Sequence, residues 1–344
     1  MSTVLVTGAA GFIGSNFVRY WRREHPGDRV VALDALTYAG VRGNVEGLPG
    51  VEFVHGSIGN TELVEHLLRS RGVDVVVNFA AESHNSLAIL RPGEFFATNV
   101  MGTQQLLEAV RRVGVARFHH ISTCEVYGDL PLDVDGPGAA FTEQSPYRPR
   151  TPYNAAKAGG DHVVRSYGLT YDVPVTITNC ANNYGPFQFP EKVIPLFTTR
   201  ALAGEALPLY ASTKNRREWL HVDDHARAID AVLGHGRVGE TYNVGSGHEV
   251  DIEGIADSVL GALGLGPELK TIVPDRPSHD RRYLLDSSKL RSELGWAPRV
   301  GWDEGIAATV DWYRANEAWW RPLIGRSPVV EGADNSWGTD GKTR

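Results

Sequence analysis

The chain is poor in cysteine and carries no excess of positive charge. Cys124 and Cys180 are the two cysteines among 344 residues, too few for a disulfide framework or, by themselves, for a metal-ligand cluster. The formal net charge of −7 argues against a nucleic-acid-binding surface. We therefore expect neither a bound metal nor a nucleic-acid partner.

Long hydrophobic runs are also missing. No apolar run reaches the roughly 18 residues that a membrane span requires. The first residues enter a strand pattern without the charged stretch and cleavage site of a signal peptide. The expectation is a soluble cytoplasmic protein with no membrane partner.

Short β-branched runs alternate with helical patterns up to about residue 180, which is typical of βαβ units and a parallel sheet. Strands are predicted at residues 4–6, 30–33, 51–54, 75–79, 118–122 and 173–178. Helices are predicted from about residue 11, over 99–112, from about 152 and over 306–314. The pattern predicts an α/β fold.

The alternation predicts a Rossmann-type doubly wound parallel sheet over residues 1–180, to which segments around 220–245 return. After about residue 179 the pattern becomes irregular. Residues 181–325 are predicted to form mainly a smaller, interleaved C-terminal α/β part. The tail over residues 326–344 is rich in Gly, Asp and Ser and is predicted to be disordered.

A glycine-rich turn connects the first predicted strand to the first helix. Gly8 permits the tight turn, Gly11 lets backbone amides approach a pyrophosphate, and Gly14 allows close helix–strand packing. Asp34 ends the second strand twenty positions after Gly14, where a carboxylate binds ribose hydroxyls and repels a 2′-phosphate. The combination predicts an NAD site rather than an NADP site.

Tyr153 and Lys157 lie one helical turn apart, so both can face the same side of a helix. Together with the glycine spacing, this pair resembles the extended short-chain dehydrogenase/reductase family. The resemblance implies that the tyrosine is the catalytic acid and base, and that the lysine lowers its pKa and binds the nicotinamide ribose. It implies further NAD contacts from Phe12, Ile13, Thr37, Ser57, Ile58, Ala80, Ala81, Ser83, Thr98 and Asn183.

Ser57 departs from the family pattern, which often has Gly-Asp-Ile where this chain has Gly56-Ser57-Ile58. A serine replaces a charged acceptor near the adenine. We expect altered adenine contacts, with NAD still bound.

Several further motifs resemble the dTDP-glucose 4,6-dehydratases from residue 3 to about residue 322. They include residues 121–128, 182–186, 190–196, 217–219, 223–225, 242–245 and 275–283. The resemblance implies a nucleoside-diphosphate hexose as ligand, with a dTDP-sugar favoured, and a homodimer formed through residues 99–112 and 152–171. The implied substrate contacts are Ser83, Thr123, Asn182, Lys192, Pro208, Tyr210, Arg217, Asn243, Arg276 and His279.

The resemblance also implies a reaction sequence. Tyr153, assisted by Thr123, takes the proton of the sugar 4-hydroxyl while NAD accepts the C4 hydride. The 4-ketone acidifies the C5 proton, which Glu125 removes as general base. Loss of the C6 hydroxyl needs a proton donor, after which the hydride returns to C6.

Cys124 occupies the position where these enzymes normally carry the catalytic aspartate that donates this proton. A thiol with an ordinary pKa of about 8.5 is protonated at neutral pH, but it is a weaker hydrogen-bond donor than a carboxylic acid. Cys124 can replace the acid, Glu125 can serve as both base and acid, or the reaction can differ. Alternatively, Cys124 is a small buried packing residue.

A second departure lies at residues 85–88. The dTDP-glucose type usually reads Ala-Ala-Glu-Ser-His-Val-Asp-Arg-Ser, and here residues 80–88 read Ala-Ala-Glu-Ser-His-Asn-Ser-Leu-Ala. Changes clustered in an otherwise matching chain indicate an altered substrate or reaction.

The leading hypothesis is therefore an NAD-dependent lyase, a dTDP-glucose-like 4,6-dehydratase of deoxysugar biosynthesis. The alternative is a related 5,6-dehydratase or epimerase that returns the hydride to C4. A non-catalytic nucleotide-sugar binder is a third possibility, against which the retention of Thr123, Glu125, Tyr153 and Lys157 argues.

Overall fold

The computed structural model describes residues 2–134, 139–275 and 280–327. Its strands are β1 (Thr3–Thr7), β2 (Arg29–Asp34), β3 (Val51–His55), β4 (Val75–Asn78), β5 (Arg117–Thr123), β6 (Val175–Cys180), β7 (Asn182–Tyr184), β8 (Leu207–Tyr210), β9 (Arg216–His221), β10 (Thr241–Val244), β11 (Glu249–Asp251) and β12 (Lys270–Val273).

The α-helices are α1 (Phe12–Glu24), α2 (Thr61–Arg71), α3 (Asn85–Leu90), α4 (Pro92–Phe96), α5 (Thr103–Val113), α6 (Pro152–Tyr171), α7 (Val193–Leu202), α8 (Val222–His235), α9 (Ile252–Leu263), α10 (Ser288–Leu294), α11 (Trp302–Ala315) and α12 (Glu317–Trp320). Short 3₁₀ turns cover Arg42–Asn44, Cys124–Tyr127, Pro267–Leu269 and Arg321–Leu323, and a π-helical turn covers Ala97–Gly102.

The main sheet has seven strands in the order β3-β2-β1-β4-β5-β6-β10, and every pair in it is parallel. The order reverses direction beside β1, which is the doubly wound arrangement of the Rossmann type. The predicted fold class is confirmed. The late strand β10 completes one edge of this sheet beside β6.

Helices cover both faces of the main sheet. Leu5 of β1 belongs to a core that includes α2, α5 and α6 side chains such as Val64 and Leu106. Its neighbours Val4 and Val6 belong to the core on the opposite face, which α1 and α8 complete. Because successive strand residues point to opposite faces, burial on both sides explains why these strands are continuously apolar.

The smaller part consists of the three-stranded sheet β11-β9-β7 and the two-stranded sheet β12-β8. Its core is formed by side chains of α7, α9 and α11, among them Phe197, Ile255 and Val310. Since β7 directly follows β6 in the chain, this part meets the main sheet at the carboxyl ends of its strands.

The predicted helix over residues 99–112 is present but does not run as one α-helix. Its start lies in the π-helical turn Ala97–Gly102, which leads into α5. The Asn99 carboxamide there bonds the main-chain amide and carbonyl of Glu82. At Gly160 an added Cβ would lie 2.5 Å from the Asn99 carbonyl oxygen, so α6 packs directly on this widened turn. Of the predicted tail, residues 328–344 lie outside the described residues.

Within the described ranges, no helix is long and apolar enough to cross a membrane. In the same ranges, no group of His, Cys, Asp and Glu side chains is arranged to hold a metal ion.

Glu218 of β9 is a buried carboxylate that joins three segments of the smaller part. Its oxygens accept the main-chain amides of Gly247 at 2.6 Å and Leu285 at 2.9 Å. Burial raises the pKa of Glu218 to about 7, although these two amides oppose the rise. The folded protein therefore binds a proton here more tightly than the unfolded chain does.

This difference predicts a loss of stability with rising pH. Because the folded pKa lies above the unfolded value of 4.5, the contribution of Glu218 is fully present below pH 4.5 and disappears as pH rises through about 7. The full effect is about 3 kcal/mol. Denaturant unfolding of Glu218→Gln should show a correspondingly flatter pH dependence than the parent between these limits. Glu62→Gln, at an exposed carboxylate, should leave the dependence unchanged; parallel curves for all three proteins would contradict the assignment.

Candidate active site

A cavity of about 540 Å³ lies at the carboxyl ends of the main-sheet strands, where ligands bind in doubly wound folds. It extends along the smaller part through residues of β7, β8 and β9. Its walls contain these predicted site residues: Gly8, Gly11, Phe12, Ile13, Gly14, Asp34, Thr37, Ser57, Ile58, Ala80, Ala81, Ser83, Thr98, Thr123, Glu125, Tyr153, Lys157, Asn182, Asn183, Lys192, Pro208, Tyr210 and Arg217.

Four other predicted site residues are not part of this wall as described. Arg276 and His279 lie outside the described residues. Asn243 is fully buried behind the cavity, where its carboxamide bonds the Tyr127 hydroxyl and the Phe141 carbonyl. Cys124 is also buried and is discussed below.

The glycine turn between β1 and α1 is packed so closely at Gly8 and Gly14 that neither position has room for a side chain. Gly8 has a φ of +63°, and an added Cβ would lie 2.7 Å from the Ala80 nitrogen. A Cβ at Gly14 would lie 2.3 Å from the Gly8 carbonyl oxygen. At Gly11 an added Cβ would touch only the Gly8 oxygen, at 3.3 Å. The turn is therefore held against β4 at Gly8 and left with space at Gly11, beside the N-terminus of α1.

Asp34 closes this turn from the end of β2. Its carboxylate accepts the main-chain amides of Ala10 at 2.8 Å and Leu36 at 2.7 Å. Burial raises the pKa of Asp34 above its ordinary value, while these amides oppose the rise. The carboxylate thus both orders the loop after β2 and lines the cavity.

Strand β5, the turn after it and helix α6 place four of the predicted catalytic residues on the cavity wall: Thr123, Glu125, Tyr153 and Lys157. Thr123 ends β5, and its hydroxyl accepts the Glu125 amide at 3.3 Å. Thr151 caps α6 by accepting the Asn154 amide, and Pro152 occupies the first turn, which its fixed φ and missing amide suit. Tyr153 is thereby placed at the beginning of α6, facing the end of β5.

Burial shifts the proton affinities of the pair on α6. It raises the pKa of Tyr153 well above its ordinary value, and a hydrogen bond with Thr123 opposes this rise. It lowers the pKa of Lys157, which the negative charge of Asp161 opposes. The Lys157 ammonium donates to the Ile121 carbonyl at 2.6 Å, so the lysine anchors α6 to β5.

Asp161 lies one turn beyond Lys157 and is fully buried. Its carboxylate accepts the hydroxyls of Ser122 at 2.7 Å and Tyr147 at 2.8 Å, and His120 lies 3.4 Å away. Burial alone would raise the pKa of Asp161, but the interactions with His120, Lys157 and Ser122 hold it below its ordinary value. An ionised carboxylate therefore lies next to Lys157 in the interior.

Cys124 follows Thr123 in the 3₁₀ turn and is not among the residues that line the cavity. It is 1% exposed and belongs to a cluster of buried apolar side chains with Val126 and Tyr127. Burial raises the pKa of its thiol well above the ordinary value, and the charge of Glu125 adds to this effect. Glu125, in contrast, lines the cavity.

Basic and amide side chains lie on the wall formed by the smaller part. The Lys192 ammonium bonds the Ser83 carbonyl at 3.1 Å. The Arg217 guanidinium packs over the Tyr283 ring at 4.7 Å and donates to main-chain carbonyls of residues 216, 280 and 281. The buried carbonyl oxygen of the Asn182 side chain has no hydrogen-bond partner among the described residues, as expected for an atom that awaits a ligand.

A polar cluster that was not predicted from the sequence lies at the same cavity. The Tyr38 hydroxyl donates to Glu191 at 2.6 Å, and His84 lies 3.4 Å from the other Glu191 oxygen. Burial raises the pKa of Tyr38, and the charge of Glu191 adds to it. The cluster joins the loop after β2 to the segment before α7. Glu191 adjoins Lys192 in the motif over residues 190–196, and this position was the sequence feature that could have pointed to the cluster.

Comparison with known proteins agrees with this geometry. A sequence model of the family described as GDP-mannose 4,6 dehydratase matches residues 5–309. The chain is 48% identical over 325 residues to a dTDP-glucose 4,6-dehydratase of Streptomyces antibioticus, covering 93% of this chain and 95% of that protein. It is 49% identical over 322 residues to a dTDP-glucose 4,6-dehydratase of Mycobacterium tuberculosis strain H37Rv, with 93% and 96% covered.

Among solved structures, the fold is similar to that of DesIV, a dTDP-glucose 4,6-dehydratase from Streptomyces venezuelae crystallised with NAD and TYD bound. The TM-score is 0.88 at 48% identity, and the similarity covers 93% of this chain and 99% of DesIV.

Proposed function

The chain belongs to the GDP-mannose 4,6-dehydratase family, and we propose that it is an NAD-dependent lyase that dehydrates a nucleoside-diphosphate hexose. The proposed substrate is a dTDP-glucose-like sugar, and the proposed product is a 4-keto-6-deoxy sugar. The observation that carries the proposal is the meeting of Glu125, Tyr153 and Lys157 with Lys192 and Arg217 around one cavity. The dTDP-glucose 4,6-dehydratases that match almost the whole chain support the substrate class.

NAD is the proposed cofactor, and the residues at the cavity fit it. The space at Gly11 and the N-terminus of α1 suit a pyrophosphate, and the Asp34 carboxylate suits ribose hydroxyls. Tyr153 and Lys157 would hold the nicotinamide end, near the end of β5. When bound, the nicotinamide supplies a reversible acceptor for a hydride from the sugar.

Tyr153 is proposed to take the proton of the sugar 4-hydroxyl, with Thr123 as its hydrogen-bond partner. The Thr123 hydrogen bond favours the ionised phenol. Lys157, held by the Ile121 carbonyl, provides positive charge in the same buried region. These groups prepare the C4 oxidation that makes the C5 proton acidic.

Glu125 is proposed to act as both base and acid in the elimination. It takes the proton from C5, the C5 electron pair forms the double bond to C6, and the C6–O bond breaks. The proton then held by Glu125 goes to the departing hydroxyl, which leaves as water. The burial of Cys124 among apolar side chains supports this assignment over a thiol acid. Cys124 is accordingly proposed to be a packing residue.

The smaller part is proposed to bind the nucleotide. Lys192 and Arg217 suit a diphosphate because charge-assisted hydrogen bonds to phosphate are strong. The unpartnered Asn182 oxygen suits a sugar or ribose hydroxyl. Pro208 and Tyr210 of β8 line the same end and are proposed to flank the base. Contacts from Asn243, Arg276 and His279 stay predictions.

Cys124 keeps a second candidate function open, because the proton donor expected in this family is replaced. In a related 5,6-dehydratase or epimerase, the same Tyr153 and Glu125 act first, and the hydride returns to C4 instead of C6. Deuterium placed at C4 of the substrate distinguishes the two reactions.

The purified protein with NAD should convert dTDP-glucose deuterated at C4 into a 4-keto-6-deoxy sugar that carries deuterium at C6, as read by NMR of the products. Tyr153→Phe should abolish this transfer, because C4 oxidation needs the phenol. Deuterium retained at C4 would instead identify the second candidate function. Absence of turnover with dTDP-glucose and with other nucleoside-diphosphate hexoses, despite NAD binding, would contradict enzymatic function.

The assignment of both proton transfers to Glu125 predicts unequal effects of two neighbouring substitutions. Glu125→Gln should lower kcat by about 10²–10⁴, the usual cost of losing a general acid or base. Cys124→Ala should retain kcat within about tenfold, because it removes only a packing group. Steady-state rates measure this, with thermal unfolding as the control for folding. A loss in Cys124→Ala equal to that in Glu125→Gln would make the thiol the acid.

We also propose a homodimer that is formed through α5 and α6. Large apolar side chains are exposed beside these helices, at Leu90, Phe96, Met101, Leu169 and Tyr171. Leu169 is 88% exposed. A surface with these exposed apolar side chains suits a protein–protein contact, and a second copy related by a twofold axis would supply it.

Sedimentation velocity should give twice the mass of the chain. Leu169→Glu should shift the protein to monomer, since a buried unpaired charge opposes association. Leu265→Glu, at an exposed leucine outside this surface, is the matched control. A monomeric parent protein would rule out the homodimer.

A further inference from the structure

Asn85, the first residue of α3, contacts the catalytic carboxylate. Its side-chain amide donates to the Glu125 Oε2 atom at 3.1 Å. Asn85 also lines the cavity. This residue belongs to the altered segment 85–88, at a position where dTDP-glucose 4,6-dehydratases usually carry valine, which cannot donate a hydrogen bond. The contact therefore accompanies one of the departures of this chain from the usual pattern.

The orientation of the Asn85 carboxamide follows from its other partner. The Thr151 hydroxyl accepts the main-chain amide of Asn154, and it donates its own proton to the Asn85 Oδ1 atom at 3.2 Å. Because Oδ1 receives this proton, the NH₂ group of Asn85 must point to the other side, toward Glu125. A directed chain of hydrogen bonds thus runs from the start of α6 to the carboxylate.

This series of hydrogen bonds connects the two groups that are proposed to act on the sugar, Tyr153 and Glu125. Thr151 caps the helix that carries Tyr153, and Glu125 stands in the turn after β5. Glu125 is 9% exposed, and a buried carboxylate keeps a single orientation only where hydrogen bonds hold it. Asn85 holds one oxygen of Glu125, at a defined position relative to the start of α6.

We propose that Asn85 is a positioning residue that aligns Glu125 for removal of the C5 proton. The inference rests on the proposed function, and it concerns only the step that follows C4 oxidation. The NH₂ group of Asn85 donates to Oε2 and so fixes the direction of the carboxylate that accepts the C5 proton. The proton itself passes from C5 to Glu125 and then to the departing C6 hydroxyl, so Asn85 neither gains nor loses one.

Two substitutions remove the donor in different ways. Asn85→Asp keeps the shape and the acceptor for the Thr151 hydroxyl but replaces the NH₂ group with an oxygen. Asn85→Val keeps neutrality but removes the whole carboxamide. An effect shared by both variants comes from loss of the donor. Arg91→Ala, at the exposed residue that caps the end of the same helix, is the control for disturbance of α3.

With NAD-loaded enzyme and dTDP-glucose, both variants should lower kcat by about 10- to 100-fold, the cost of a misaligned reacting group. The initial rise of NADH absorbance in a single turnover, which reports C4 oxidation, should keep its rate. With substrate deuterated at C5, the isotope effect on kcat should increase, because C5 deprotonation becomes slower than the other steps. Arg91→Ala should match the parent in all three measurements.

Three outcomes would overturn the inference. Parent-like kcat in both variants would show that the donor is not needed. Equal loss of C4 oxidation and turnover, with an unchanged C5 isotope effect, would assign Asn85 to general support of the site. A parent enzyme that turns over no nucleotide sugar would overturn the proposed function and this inference together, and so differs from failure of the variants alone.

Discussion

The contact between the Lys157 ammonium and the Ile121 carbonyl, 2.6 Å apart, is the interaction on which the site depends. It joins α6, which carries Tyr153 one turn earlier, to β5, which leads into Thr123 and Glu125. A buried ammonium is costly unless it is paired, and burial lowers the pKa of Lys157 accordingly. The negative charge of Asp161 opposes this lowering of the Lys157 pKa. The Asp161 carboxylate itself accepts hydrogen bonds from Ser122 and Tyr147.

Burial also decides the protonation of the groups around Glu125. The pKa values of Tyr153, Cys124 and Cys180 are all raised, chiefly by burial. The Tyr153 phenol and the two thiols are therefore neutral at neutral pH. A carboxyl group can hold the C5 proton and release it within the same step, whereas a thiol packed among apolar side chains is poorly placed for it. In the proposed reaction, Cys124 stands where the family resemblance implies an aspartate, and Glu125 carries both proton transfers.

Much of the fold and of the cofactor end could be predicted from local patterns. The glycine turn, Asp34 at the end of β2, and Tyr153 at the start of α6 each depend on residues close in sequence, where backbone geometry dictates the residue type. The π-helical turn before α5 could not be predicted in this way, since it depends on Asn99 bonding Glu82 and on the approach of α6. The contacts of Asn85, Tyr38 and Glu191 could not be predicted, because their partners lie on distant segments.

By itself, the sequence determined the alternation of strands and helices up to about residue 180, the glycine turn and the candidate reactive side chains, because these follow from spacing along the chain. Only the tertiary structure decided which way each side chain points. Cys124 and Glu125 are adjacent in the sequence, yet one packs into a core and the other lines the cavity. Asn243 matched a motif and is nevertheless buried behind the site. Packing between distant segments sets these side-chain directions. The spacing of residues along the sequence does not predict this packing.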